Sequence, residues 1–285
     1  MSKKAAKTGL GPTALIAIEQ FNSLEKIIIE DQLAYEFLPI GMKIFVWFMR
    51  FDVLRLWLEN SAEKSIPGMW FGLLLRKRYI DDLIFDLDLS IEAIINLGAG
   101  FDTRLFRLNR DIPIFELDQE INIKRKKKLV QKHFGNVPRN IHLISTNFSK
   151  DDFMKQLSKY SYNISYKTFF IMEGVTQYLD EKGIRETFYF LSKAKKNSQL
   201  VFTYVRKDFI DGQEMYGWSS AYKKYVEKDI WKFGILPSEI SEFLIEYGWT
   251  VVEDLSFEEI SERIKFKDRR LDLTEVERVV FCKKN

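Results

Sequence analysis

Short apolar runs rich in β-branched and aromatic residues recur along the chain, separated by longer stretches in which apolar and charged residues mix. The runs predict strands at residues 93–97, 113–117, 141–145, 168–172, 200–205, 250–254 and 278–283. The run 168–172 is apolar throughout, as a strand covered on both faces should be. The mixed stretches predict helices: a pair over 13–38, one over 80–87 with Arg76 just before it, one over 103–108, and one after Asp118. The last of these has Ile121, Leu129 and Val130 for an apolar stripe and the basic cluster 124–128 for a solvated outer face.

The segment 44–58 is strongly apolar and aromatic, but Lys43, Arg50, Asp52 and Arg55 make it too charged to cross a membrane. With Trp47, Phe48, Phe51 and Trp57 beside basic residues, it has two readings. One is peripheral contact with a membrane surface; the preferred one is a cap helix packed on the core, because interfacial helices show a clearer polar face.

Composition narrows the picture. A chain of 285 residues, 46% hydrophobic and 30% charged, can bury a large core. No linker or repeat interrupts it, which predicts one domain: a cap over 1–75 and a core over 76–285 that carries an insert at 206–237. The single cysteine, Cys282, excludes an internal disulfide and reads as a packing residue. A net charge of +3 is too small to point to nucleic acid, and Lys3, Lys4 and Lys7 precede no long apolar run, so a cytoplasmic protein is expected.

The chemistry centres on residues 93–118, a strand, a glycine turn, a helix start, a second strand and an acid. Gly98-Ala99-Gly100 lets the backbone turn closely against a ligand, and Asp118, twenty residues after Gly98, stands where a carboxylate can grip ribose hydroxyls. Either NAD or S-adenosylmethionine suits such a loop. The dinucleotide fingerprint has a third glycine where this chain has Thr103.

The longer string Asn96-Leu97-Gly98-Ala99-Gly100-Phe101-Asp102-Thr103-Arg104 resembles the leucine carboxyl methyltransferase family of S-adenosylmethionine-dependent enzymes, in particular its bacterial branch. Further matches follow in order: Thr13-Ala14, Asp31 and Ala34; Arg76 with Asp81-Asp82; Glu173-Gly174-Val175 with Tyr178-Leu179; Phe233-Gly234-Ile235 with Pro237; and Gly248-Trp249. The resemblance implies a class I methyltransferase (Rossmann-like) fold, a mainly parallel seven-stranded sheet with an N-terminal helical cap and an insert before strand six. It implies S-adenosyl-L-methionine as cofactor, held by Arg76, Asn96, Gly98, Ala99, Gly100, Asp102, Arg104, Asp118, Asn147, Phe148 and Glu173, with Arg76 meeting the methionine carboxylate and Asn147-Phe148 the adenine. Two positions depart from the family pattern: Gln32 replaces a proline, and Asn147-Phe148 replaces Asp-Leu.

The implied activity is O-methylation of a carboxylate or hydroxyl on a small or peptide-like substrate, without a metal. The alternatives are an NAD-dependent oxidoreductase and a non-catalytic module that binds cofactor or partner. Glu173, Tyr178 and Tyr204 are the candidate catalytic groups. The only histidines, His133 and His142, fall in a helix end and in a strand, away from the sheet's carboxyl edge. A carboxylate acceptor is placed ahead of a hydroxyl because it needs no base. The aromatics of 206–237, with the N-terminal helices, are expected to form a lid.

Overall fold

The computed structural model of the protein describes residues 9–148, 151–264 and 273–285. Seven strands, β1 Ala93–Leu97, β2 Ile114–Asp118, β3 Ile141–Ser145, β4 Thr168–Met172, β5 Gln199–Val205, β6 Trp249–Leu255 and β7 Glu277–Lys284, form one sheet in the order β3-β2-β1-β4-β5-β7-β6. β1 to β5 are parallel, and β7 runs antiparallel between β5 and β6. Each strand lies within a residue of its expected position. Pro113 drops out of β2 because it has no N–H to give, although its carbonyl still accepts from Ile94 at 3.0 Å.

Alternate strand residues feed two apolar layers. Ile94, Phe169, Val201 and Val279 face one side, and Ile95, Phe170, Leu200 and Val280 the other. Cys282 is fully buried in the second layer, where burial pushes its thiol well up.

The helices are α1 Leu10–Glu19, α2 Leu33–Glu36, α3 Ile40–Phe48, α4 Asp52–Ser65, α5 Met69–Phe85, α6 Arg104–Arg107, α7 Glu120–Phe134, α8 Phe153–Ser158, α9 Glu181–Ser192, α10 Lys207–Ile210, α11 Ser219–Ala221, α12 Ile240–Glu246 and α13 Phe257–Ile264. None among the described residues is long and apolar enough to cross a membrane.

Three expectations are corrected. Arg76 lies inside a helix, since α5 begins at Met69 and not near residue 80; its early turns bury Trp70, Phe71, Leu74 and Leu75. The 44–58 segment is not one cap helix but two, the hairpin α3–α4, and its packed side is narrow: Val46 and Met49 join the core and Leu58 lies against it, while α3 buries only Val46 and α4 only Arg55. The 124–128 cluster is not wholly a solvated face. α7 turns Asn122, Ile123, Lys126 and Val130 inward and leaves Ile121 exposed, and Lys126 meets Glu116 of β2 at 2.6 Å with both side chains fully buried.

Candidate active site

β1 breaks at Gly98, where the backbone takes a positive φ of 79° and two successive amides, of Gly98 and Ala99, donate to the carbonyl of Leu117 at 2.8 and 3.1 Å. The loop thus folds back over the end of β2. Asp118 fixes it there: Oδ2 accepts from the Gly100 amide at 2.6 Å, while Oδ1 accepts from the Gln119 amide at 2.5 Å and Asn122 Nδ2 at 3.0 Å. Burial pushes the Asp118 carboxyl above its ordinary range against these donors, of which the Gly100 amide counts most. Beneath the loop, Lys126 reaches the carbonyl of Ala99 at 3.5 Å, and burial raises its partner Glu116 to about 7.

A cavity of about 760 Å³ opens above this loop. Pro12 and Thr13 of α1 close one side, α5 supplies Leu73, Arg76 and Lys77, and the turn after β4 supplies Glu173, Gly174 and Tyr178. The far wall comes from the insert, with Trp218, Tyr225, Ile230 and Trp231. There α11 runs into a π-helical stretch, Tyr222–Val226, and Tyr225 stacks on Trp231 at 4.8 Å.

Between loop and wall lies a dense ion network. Arg76 Nε donates to Glu173 at 2.8 Å, and its Nη1 to both oxygens of Glu277 at 2.7 and 2.9 Å, which leaves Nη2 outside these bonds. The other Glu173 oxygen meets Lys77 at 3.0 Å and Arg104 at 2.8 Å. Arg104 also holds Asp81 at 2.9 Å and Asp102 at 3.3 Å; Arg107 joins Asp81 at 2.6 Å to Asp31, which accepts from the Thr103 hydroxyl. Burial alone would raise Glu173, but Lys77, Arg104 and Arg76 outweigh it and hold the carboxyl down at about 2.

Of the expected site residues, Arg76, Asn96, Gly98, Ala99, Gly100, Asp102, Glu173 and Tyr178 line the cavity. Arg104 and Asp118 stand behind it as supports. Asn147 and Phe148 do not line it: Asn147 is exposed, and Phe148 is buried edge-on against Phe153 at 5.3 Å. Tyr204 is corrected as a catalytic candidate, because its hydroxyl is spent on Asp254 at 3.0 Å, which Arg278 also holds, and burial pushes that hydroxyl up. Glu173 is corrected as a base, since three cations keep it ionised and without appetite for a proton. Neither histidine lines the cavity.

Lys77 and Glu277 were not foreseen. Glu277 opens β7 opposite Val205, the last residue of β5, so the antiparallel strand delivers an acid to the edge where the parallel strands end. Only strand order could have revealed it.

The family model for leucine carboxyl methyltransferase matches residues 9–192, about two thirds of the chain. The chain belongs to the leucine carboxyl methyltransferase family. It is therefore an S-adenosylmethionine-dependent methyltransferase, and the NAD-dependent alternative is set aside. A DUF574 family protein from Streptomyces avermitilis is similar in fold with a TM-score of 0.59 and 11% identity, over 79% of this chain and 88% of that one. A putative methyltransferase from Thermobifida fusca gives 0.56 and 15%, over 82% and 89%. An O-methyltransferase family protein from Burkholderia thailandensis gives 0.47 and 10%; this chain spans only 59% of its length. No curated protein matches the sequence. The insert 206–237 lies beyond the region that this family model matches.

Proposed function

We propose that this methyltransferase places the methyl group of S-adenosylmethionine on an oxygen, carboxylate or hydroxyl, of a small or peptide-like substrate. The observation that carries the reading is one cavity with two unlike ends, a polar glycine loop and an aromatic wall. The loop end suits the cofactor. Asn96 Nδ2 is buried without a partner at the cavity lining, and a Cβ built on Gly100 would meet nothing nearer than the Gly98 carbonyl at 3.9 Å, so an acceptor and a body are both wanted there.

In this reading Arg76 Nη2 meets the methionine carboxylate, as a planar donor fork does well. Asp118, behind the loop, spends three of its four lone-pair sites on fixing it and keeps one, on Oδ2, for a ribose hydroxyl. Asp102 and Arg104 hold the loop's shape from below. When bound, the cofactor supplies an electrophilic methyl on a sulfonium.

The protein's share is positioning and exclusion of water, which Tyr178 and the wall of Trp218, Tyr225 and Trp231 provide. Because three cations hold Glu173 ionised and no histidine lines the cavity, a carboxylate, already ionised near neutral pH, is the acceptor we place first. A screen of carboxylic acids and phenols with methyl-labelled cofactor tests this: base-labile esters are expected, and alkali-stable ethers as sole products would overturn the carboxylate acceptor.

A further inference from the structure

Nineteen large apolar side chains are substantially exposed among the described residues, and ten of them fall within 40–57 on the α3–α4 hairpin. On α3 these include Ile44, Phe45, Trp47 and Phe48; on α4 they include Val53 at 79% exposed and Trp57 at 66%. At 100° per residue, the exposed positions of each helix cover an arc of roughly 160°, nearly half its circumference. Exposed apolar surface of this continuity marks a face that another apolar phase covers.

The charges choose the occupant. From residue 37 to 51 the chain carries Lys43 and Arg50 and no acid. Lys43 is already paired, with Glu36 at 2.6 Å. The Arg50 guanidinium lies over the Trp47 ring at 3.8 Å and the Phe51 ring at 4.9 Å, with no carboxylate in ion-pair contact among the described residues. A cation spread on exposed tryptophan, amid phenylalanine and isoleucine, is the arrangement that matches a bilayer's boundary, where rings enter the acyl region and the guanidinium meets headgroup phosphate. A second copy of this face would bring another Arg50, and the nearest acid, Asp52, is already paired with Arg55 at 2.6 Å. At nine residues, α3 is roughly 14 Å long, which suits lying in the boundary and not crossing it.

The hairpin is also fastened to the cavity. Past Ser65, Ile66 and Met69 line it; the Ser65 carbonyl accepts from Ser220, and the Pro67 carbonyl accepts from Trp218 Nε1 at 2.7 Å, both from the insert.

We infer that the α3–α4 hairpin docks the protein on an anionic phospholipid surface, with Trp47 and Trp57 immersed and Arg50 against phosphate. The test is co-sedimentation of the full chain with vesicles of equimolar phosphatidylglycerol and phosphatidylcholine, and with phosphatidylcholine alone. Binding to the mixed vesicles is expected to be roughly tenfold or more tighter than to the neutral ones, to fall about fivefold in Arg50→Gln, and to fall at least tenfold or so in Trp47→Ser/Trp57→Ser. Binding of S-adenosylhomocysteine by calorimetry should stay at the parent value in both variants, so failure of the docking face is distinguishable from failure of the cofactor site. Absence of sedimentation with either vesicle overturns the inference, as does a parent dimer in sedimentation velocity that Trp47→Ser/Trp57→Ser dissociates, for then a second copy covers the face.

Discussion

Gly98 and Gly100 sit two residues apart and are needed for opposite reasons. A Cβ on Gly98 would stand 2.3 Å from Val175 Cγ2, inside the protein, whereas one on Gly100 would project into open space above the loop. Gly98→Ala should therefore cost about 1–3 kcal/mol of stability. Gly100→Ala, at a φ of 47°, should cost about 1 kcal/mol yet weaken S-adenosylhomocysteine binding roughly tenfold or more. Thermal melts and calorimetry on the two variants separate the effects; a Gly100→Ala protein that binds like its parent would move the cofactor elsewhere. This loop was readable in the sequence because turn, close approach and acid all lie within one local string. Tyr204 was not, because neighbouring strand residues point to opposite faces and their nearness to the carboxyl edge does not tell which face meets the cavity.

Among the elements, strands were placed well and amphipathic helices poorly. A strand buried on both faces is a bare apolar run, but a helix's inward face depends on what it meets. α7 turns Lys126 inward because a fully buried Glu116 waits on β2, and nothing in the local pattern announces that partner. The insert is the element with the most bearing on turnover. Its Phe209, Trp218 and Ala221 form a small core with Val205 of β5 and Val276 just before β7, and with α1 the insert closes the cavity. If these segments act as a lid, limited proteolysis within 206–237 should slow when S-adenosylhomocysteine is added; equal cutting with and without ligand would remove the lid.

For the whole molecule, the network around Glu173 ties α5, the glycine loop, β4 and β7 into one charged keystone. Its carboxyl is held at about 2 in the fold against an ordinary 4.5, so its stabilisation is fully present above about pH 4.5 and is lost as pH falls toward 2. Glu173→Gln leaves three cations short of their shared anion and should cost about 3–5 kcal/mol at neutral pH. Denaturant melts of parent and variant should show this gap closing as the pH is lowered to about 2; a gap constant with pH would mean that the charge is not what holds these elements.

The placement of β7 has a consequence for how the chain is made. β6 touches the sheet only through β7, and β5 has no partner on that side until residues 277–284 arrive. During synthesis the 71 residues 206–276 must therefore follow β5 out of the ribosome before the sheet can close. Until then β5 presents an open, apolar edge of seven residues, and chaperone cover over that edge matters most while the stretch between β5 and β7 is being made.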